Sequence, residues 1–314
     1  GTISDALTCK AWDRTGGFNN GDAGVDTSII TWQESDVEPS YSYAEGVALS
    51  EDNNYAYVTD NIGLSVVDIS DRSNPRVVNS LQTNGQAKNL VLSQDGNYAF
   101  IADSGNGVSV IEITNQRLLE EVANIPLSSG LIRDIGLSES GDTVYAIKNT
   151  GEVLVIDVTN PATSFVVKTI ALNEPAYNLD VSGNYLNIAH GGKGITTLEI
   201  TDPLDPVVVA DTGLYGLEAF SPYVNGIKSK KNGQYLYTAA NRLSTFRMFD
   251  EDPTVITPVI VDTSWLPNLA GSPGGWNITL SDNEDLMIVS GRRSGACIYD
   301  VSVPSRPVLL SSLE

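Results

Sequence analysis

Short apolar runs separated by turn residues recur along the chain at a nearly constant spacing. The run Tyr98–Ile101 is followed by Ala102-Asp103, a glycine-rich turn and a second apolar run from Val108 to Ile113. Nearly the same pattern stands at 54–70, and weaker copies begin near residues 143, 184, 234 and 285. Repeats with periods of 20 to 50 residues are typical of propellers and solenoids, so the repeat determines the expected fold before any single residue does.

Each repeat contains four short apolar runs and no helical periodicity. The run that precedes each hairpin sets the phase: GVALS at 46, NLVLS at 89, DIGLS at 134, NLDVS at 178, NGIKS at 225 and NITLS at 277. Asn, Asp and Gly then supply the backbone angles of a tight turn, and a proline-bearing turn precedes most of the fourth runs. Four short strands in about 45 residues predict the blade of an all-β propeller.

We expect one propeller domain over residues 1–314, with six clear repeats over 45–314. Residues 1–44 are the least regular part and are about one repeat long, so they are expected to complete or close the ring. Seven four-stranded blades are therefore the preferred count, and six are the alternative.

Two segments carry a family resemblance. NYAYVTD followed by GLSVVDISDRSNPRVV, and GNYAFIAD followed by GVSVIEI, resemble the LVIVD-repeat propellers, with VLVID at 153–157 in the place of the name-giving motif. The resemblance covers about residues 45–314. It implies a propeller fold and a secreted or surface-attached protein, and it implies almost nothing about chemistry, because propellers host many functions.

Composition and charge narrow the partners. The chain has 41% apolar residues and no long apolar segment, which predicts a folded protein without a membrane span. It carries 18 basic and 39 acidic residues, a formal charge of −21 that repels phosphate backbones and makes nucleic acid an unsuitable partner. We expect a protein or a carbohydrate to bind at one propeller face, or a copy of the chain itself.

The two cysteines, Cys9 and Cys297, lie near opposite ends of the chain. One disulfide between them would hold the chain ends together, and the alternative is two unrelated buried thiols. The first residue is Gly rather than Met, which is expected either of a processed mature chain or of a trimmed one. Together these features favour an extracellular or cell-surface location.

A polar column stands where each first strand begins, at the predicted mouth of the central channel. Its members considered as metal ligands are Asn89, Asp134, Asn178, Asn225 and Asn277. Their oxygens are of the type that calcium prefers, so Ca²⁺ is the one cofactor that the sequence suggests. The alternative is that each side chain hydrogen-bonds to its own loop backbone, as Asn and Asp do in turns.

Further residues near the same mouth are candidates for binding a partner. They are Tyr43, Glu45, Tyr177, Tyr223 and Trp276. Aromatic side chains on one face suit carbohydrate or protein docking, and ordinary packing between blades is the alternative. Two connections longer than the repeat requires, 213–222 and 264–275, are further places where a partner is expected.

No catalytic residues are assigned. The sole histidine, His190, lies in a glycine-rich loop and is predicted to be a surface residue, and no nucleophile elbow, HExxH, CxxC or phosphate-binding loop is present in a suitable context. The acids that end the third runs recur in nearly every unit, so we interpret them as hydrogen-bonding positions. They are Asp68, Glu112, Asp157, Glu199 and Asp300.

Three functions follow in order of preference. The first is a non-enzymatic interaction or structural module outside the cell. The second is a metal-assisted hydrolase or lactonase with calcium at the channel mouth. The third is a subunit of a polymeric surface fibre, in which residues 1–40 dock on a neighbouring copy.

Overall fold

The structure is a computed structural model. It describes residues 44–116, 118–172, 174–191, 194–212, 226–239, 242–249, 256, 258–265, 275–281, 283–291 and 296–313. These residues form twenty-four β-strands and two single-turn 3₁₀ helices, at Ser104–Asn106 and Pro161–Thr163. No helix among them is long and apolar enough to pass through a bilayer.

The strands form six four-stranded sheets, which we number as blades 1 to 6. Blades 1 to 3 comprise β1 Gly46–Leu49, β2 Tyr55–Thr59, β3 Gly63–Asp68 and β4 Arg76–Gln82; β5 Leu90–Leu92, β6 Tyr98–Ala102, β7 Val108–Asn115 and β8 Leu118–Ile125; and β9 Ile132–Leu137, β10 Thr143–Lys148, β11 Glu152–Asp157 and β12 Phe165–Ala171. Blades 4 to 6 comprise β13 Asn178–Ser182, β14 Tyr185–Ala189, β15 Ile195–Glu199 and β16 Val207–Thr212; β17 Gly226–Ser229, β18 Tyr235–Ala239, β19 Arg242–Arg247 and β20 Val259–Trp265; and β21 Gly275–Leu280, β22 Leu286–Gly291, β23 Ala296–Asp300 and β24 Val308–Leu313.

Every blade is an antiparallel meander of consecutive strands. The two middle strands are almost fully buried, as in β10, where all six residues are buried. Apolar clusters join each blade to the next at the five joints from blade 1 to blade 6, so the middle strands of blades 2 to 5 are buried on both faces. This explains why their apolar runs are nearly continuous instead of alternating. The all-β propeller predicted from the repeat is confirmed.

The first hairpin of each blade turns on a residue with a left-handed backbone. In blades 2, 3 and 5 it is a glycine, Gly96, Gly141 or Gly233, and its N–H bonds to the carbonyl three residues earlier. In blade 5 that carbonyl belongs to Lys230, which therefore corresponds to Ser93 of blade 2 and Ser138 of blade 3. The sequence alignment, which matched Ser229 to those serines, is wrong by one residue in this blade.

The outer strand of every described blade contains one extra residue. In blade 1, Val66 pairs with Asn79 and Val67 pairs with Val77, so Val78 has no opposite residue. The same bulge occurs at the equivalent point of the other five sheets. A bulge bends a strand and increases its twist, so the outer edge of each blade is not a straight template for another strand.

The described residues give six blades, the alternative count from the sequence. Residues 1–43, on which the seventh blade depends, lie outside the described residues. The assignment of 1–314 to one domain stays a prediction in that part of the chain.

Candidate functional site

The first strands of all six described blades surround a central cavity of about 500 Å³. Its wall includes four of the five residues proposed as metal ligands, Asn89, Asp134, Asn178 and Asn277. Asp180 and Lys228 line the same wall and were not singled out from the sequence. The signal that could have found them is their charge at the third position of a strand that faces the ring axis.

Asp134 connects three blades at the cavity wall. Its Oδ1 accepts the side-chain amide of Asn89 from blade 2 at 2.5 Å and the backbone N–H of Ile135 at 2.9 Å. Its Oδ2 accepts the backbone N–H of Leu179 from blade 4 at 2.9 Å. Asp134 is 3% exposed, so this carboxylate is a buried joint between blades and both of its oxygens accept amide hydrogens.

Asp180 makes a similar joint between blades 4 and 5. Its Oδ1 lies 2.6 Å from Lys228 Nζ, and its Oδ2 accepts the backbone N–H of Ser229 at 2.7 Å. The nearby carboxylate raises the pKa of the Lys228 ammonium. The lysine side chain is 36% exposed and Asp180 is 5% exposed, so the pair is charged and anchored on its acidic side.

The remaining members of the column divide into three cases. Asn277 Oδ1 accepts the N–H of Ile278 at 2.9 Å, as Asn89 Oδ1 does with Leu90. Asn178 begins β13 at the cavity wall and is half-buried. Asn225 lies outside the described residues, and Gly226 pairs with Ala239 as Asn178 pairs with Ala189, so the register gives Gly226 the position that the sequence assigned to Asn225.

These contacts show whether the column of Asn and Asp side chains could bind a calcium ion. A calcium site needs about six to eight oxygen ligands, whereas the described oxygens of Asn89, Asp134 and Asn277 accept amide hydrogens. Within the described residues, no group of three or more His, Cys, Asp or Glu side chains is placed to hold a metal ion. The residues present fit a structural hydrogen-bonding role, and calcium binding stays a prediction.

The structure describes only two of the five candidate binding residues in full, Glu45 and Tyr177. Glu45 pairs with Lys88 of the next blade, with Oε1 and Nζ 3.0 Å apart. Tyr177 is 36% exposed just before β13, and its N–H bonds to Ala189 O. Tyr43, Tyr223 and the side chain of Trp276 lie outside what the structure describes, as do the long connection 213–222 and most of 264–275.

His190 is buried, with 4% exposure, so its prediction as a surface residue is wrong. Its Nδ1 lies 3.0 Å from Pro175 O, and its Nε2 lies 2.9 Å from Thr196 Oγ1. The ring therefore ties the connection entering blade 4 to the third strand of that blade. This contact makes His190 a structural residue of the loop rather than an accessible base.

Asp103 plays the equivalent part in blade 2. Its carboxylate accepts the Thr83 hydroxyl at 2.7 Å, the Gly85 N–H at 3.0 Å and the Asn106 amide at 2.8 Å. A side chain at Gly85 would bring a Cβ within 2.0 Å of Asp103 O, which explains the glycine. Asp103 thus fixes the connection from blade 1 to blade 2.

The acids at the ends of the third strands bond to the following turn where their contacts are described. Asp68 accepts the N–H and the hydroxyl of Ser70 at 3.0 and 2.6 Å, and Asp300 does the same with Ser302. These bonds lower the pKa of Asp68 to about 2, with Ser70 as the largest cause and Arg76 adding to it. The interpretation of these acids as hydrogen-bonding positions is confirmed for all five, because Asp157 accepts the Thr159 N–H and the two glutamates, Glu112 and Glu199, accept the hydroxyl of the threonine two residues later.

Cys297 is buried on β23, on the face that packs against Tyr237 and Leu243 of blade 5. Burial raises the pKa of its thiol. Cys9 lies outside the described residues, so the Cys9–Cys297 disulfide stays a prediction.

Four-stranded sheets packed radially around a central cavity define the class of protein as a β-propeller. The LVIVD repeat matches residues 42–83, 84–124 and 175–211, which correspond to blades 1, 2 and 4. The resemblance drawn from the sequence is confirmed, and the chain carries LVIVD repeats.

Solved structures agree on the fold. The periplasmic gluconolactonase of Pseudomonas aeruginosa has a TM-score of 0.75 at 14% identity, over 95% of this chain and 90% of its own. A protein from Lactobacillus plantarum has a TM-score of 0.74 at 14% identity, over 85% and 84%. Hydrazine synthase of Kuenenia stuttgartiensis has a TM-score of 0.63 at 19% identity, over 86% and 84%. No curated protein matches the chain significantly.

Identities this low establish the propeller fold and no activity. The names of these proteins also describe different activities, a gluconolactonase and a hydrazine synthase among them. Function must therefore be argued from the residues of this chain.

Proposed function

We propose that the protein is a non-enzymatic interaction module that works outside the cell or at its surface. The observation that carries the proposal is an exposed apolar band on the outer strands of four adjacent blades. We call it the apolar arc and define it as the first three residues of β12, β16, β20 and β24: Phe165–Val167, Val207–Val209, Val259–Val261 and Val308–Leu310.

The side chains of the apolar arc are exposed to solvent. Phe165, Val207 and Leu310 are each 56% exposed, and Val259 is 47% exposed. Blades 1 and 2 differ at the equivalent positions, because Asp68 pairs with Arg76 and Glu112 pairs with Glu120 there. Exposed apolar residues that follow one another within each of four outer strands are more than the scattered single residues of an ordinary surface, and we take them as the mark of an interaction surface.

The surroundings of the arc select the chemistry of the partner. Asp157 pairs with Phe165, Glu199 with Val207 and Asp300 with Val308, so carboxylates border the arc in three of the four blades. Asp205 lies beside the same border in blade 4 and pairs with Lys168 of blade 3. A protein surface that presents apolar side chains beside lysine or arginine is complementary to this arrangement.

The mode of contact follows from the bulges. Val167, Val209 and Leu310 are the extra residues of their strands, which interrupts the regular edge at the arc. We therefore expect the partner to contact side chains rather than to add a strand. The inner wall supports the same function, because Asp134, Asp180 and His190 already serve as joints between chain segments.

The experiment uses an immobilised peptide of alternating valine and lysine, with a valine–glutamate peptide of equal length as its counterpart. The wild-type protein should bind the basic peptide preferentially. The triple variant Phe165→Asn, Val207→Asn, Val308→Asn should bind it at least about tenfold more weakly, since three apolar contacts are lost.

The matched control is Val77→Asn, which changes an exposed valine of the outer strand in blade 1. It should bind as the wild type does. Equal binding of the two peptides by the wild type, or unchanged binding by the triple variant, would show that the arc is not the interaction surface.

A second candidate is a calcium-assisted hydrolase or lactonase at the central cavity. It is favoured by the cavity of about 500 Å³ and by the gluconolactonase of similar fold. Calcium titration with thermal melting, alongside a lactone hydrolysis assay, tests it. A melting midpoint that rises with calcium, together with hydrolysis lost in Asp134→Asn, would favour this candidate over the first.

A further inference from the structure

One residue from the first strand of every described blade lines the central cavity at the same height. In each blade it is the residue that pairs with the third residue of the second strand, so the six positions are equivalent in the repeat. We call this set the middle level of the wall: Ala48, Val91, Gly136, Asp180, Lys228 and Thr279.

The middle level has an apolar side and a polar side. Blades 1 to 3 contribute Ala48, Val91 and Gly136, which have no polar side-chain atoms. Blades 4 to 6 contribute Asp180, Lys228 and Thr279. Contacts between the first strands follow the order of the blades, so each set of three is contiguous around the cavity. A molecule inside the cavity would therefore meet carbon atoms on one side and polar groups on the other.

Lys228 supplies hydrogen-bond donors on the polar side. Its ammonium carries three N–H groups, and Asp180 Oδ1, 2.6 Å away, accepts one of them. The lysine side chain lines the cavity and is 36% exposed. Asp180 thus holds the ammonium in place, while its other N–H groups are available to a ligand.

Two amide side chains stand one step nearer the mouth on the same side. Asn178 precedes Asp180 by two residues on β13, and Asn277 precedes Thr279 by two residues on β21. Residues two apart on a strand share a face and lie about 6 to 7 Å apart. Asn277 Oδ1 accepts the Ile278 N–H, which leaves its amide hydrogens to donate. The polar side therefore offers donors at two heights, which suits a molecule with several oxygen atoms.

The charges of the wall favour a neutral molecule. Asp134 and Asp180 accept N–H groups at both of their oxygens, so a cation would have to displace these bonds. Two carboxylates against the single ammonium of Lys228 leave the described wall with an excess of negative charge, and the whole chain carries −21. An anion is therefore repelled.

We propose that the central cavity binds a small neutral cyclic polyol, that is, a sugar or a cyclitol. Its hydroxyl oxygens accept hydrogen bonds from Lys228 and Asn277, and its C–H face lies against Ala48 and Val91. The cavity of about 500 Å³ is within the range of small-molecule sites. The inference does not depend on the apolar arc.

The experiment titrates the full chain with three neutral polyols, glucose, galactose and myo-inositol, and follows binding by nuclear magnetic resonance. The anionic counterparts are glucuronate, galacturonate and myo-inositol monophosphate. We expect at least one neutral polyol to bind with a dissociation constant of about 1 mM. Its anionic counterpart should bind at least about fivefold more weakly, because the wall repels it.

Two variants change the two sides of the site separately. Lys228→Met removes the donors and should weaken binding about tenfold. Ala48→Val adds carbon atoms on the apolar side, so it should weaken binding at least about fivefold by reducing the room for the ligand.

Each variant has a control on an outer strand. Lys168→Met breaks an exposed pair with Asp205, and Ala171→Val enlarges an exposed alanine at the end of β12. Both should bind the polyol as the wild type does. The triple variant of the apolar arc should also bind it unchanged, which separates this site from the proposed interaction surface.

Three outcomes overturn the inference. The first is that none of the three neutral polyols binds the wild type at about 20 mM, far above the expected dissociation constant. The second is that an anionic counterpart binds more tightly than its neutral polyol. The third is that Lys228→Met and Ala48→Val both bind as the wild type does, which would place the site elsewhere. If Lys228→Met fails to fold, Ala48→Val still decides.

Discussion

Polar groups are usually exposed and apolar groups buried, but the cavity wall and the outer strands, which we call the rim, show the reverse. At the wall, Asp134 and Asp180 are almost completely buried and accept backbone N–H groups from the next blade. At the rim, Phe165 and Val207 are more than half exposed. The difference shows that the charged side chains of the wall join the blades, while the exposed apolar side chains lie on the outer strands.

The largest effect is expected at the wall. Asp180→Ala removes the bonds to Lys228 Nζ and to the Ser229 N–H, and leaves a backbone donor and an ammonium without their acceptor. We expect the free energy of unfolding to fall by about 3 kcal/mol. Urea unfolding at neutral pH measures it.

The rim control is Asp205→Ala. Asp205 pairs with Lys168, but these side chains are 65% and 40% exposed, so the loss should be at most about 1 kcal/mol. Equal losses in the two variants would contradict the distinction between wall and rim.

A smaller effect is expected at the connection between blades 1 and 2. Gly85→Ala would place a Cβ 2.0 Å from Asp103 O, so the connection must move and strain the bonds to Asp103. We expect a loss of about 2 kcal/mol in thermal or urea unfolding. Gly105→Ala is the control, because its nearest neighbour, Leu131 Cδ2, is 3.5 Å away, and a comparable loss there would refute the steric explanation.

A third variant tests a bond that runs from one blade to the turn of the next. Tyr145 Oη donates to Pro203 O at 2.9 Å, and Tyr237 Oη donates to Pro304 O in the same way. Tyr145→Phe should lower the free energy of unfolding by about 1 kcal/mol, since one hydrogen bond is lost and the ring stays packed. A loss no larger than that of Tyr98→Phe would remove this bond from the list of blade joints.

The smallest effect is a change in titration. Ser70→Ala removes the largest cause of the low pKa of Asp68, so that pKa should rise from about 2 toward 3.8. A depressed carboxylate pKa contributes stability that is present above about pH 4 and lost as the pH falls toward 2. Nuclear magnetic resonance titration of Asp68 checks the shift, and an unchanged pKa would assign the depression to Arg76 instead.

The features that recur in every repeat could be predicted from the sequence. Antiparallel four-stranded blades follow from runs and turns that recur, and the Asp68 bonds follow from an acid that stands at the same point of most units. The backbone bonds of Asn89 and Asn277 match the alternative proposed for that column. Local patterns were sufficient for these features.

The wrong or missing predictions concern residues whose position depends on contacts that the local sequence does not show. In blade 5, Ser229 looks like the turn serines of the other blades, but the left-handed residue is Gly233, and it sets the phase one residue later. His190 was assigned by its glycine-rich neighbours, whereas its burial depends on Pro175 and Thr196, which the fold brings to it. Asp180 was missed because its partners lie almost fifty residues away.

The extra residue in each outer strand has a consequence for how the protein behaves at high concentration. Straight sheet edges with exposed valines would pair with one another and form insoluble aggregates. Deleting Val209 would remove the extra residue of β16 and straighten its edge, while Val207 and Val208 would stay exposed and favour growth by strand pairing. The bulge thus protects the exposed valines of the outer strand from pairing edge to edge with another sheet.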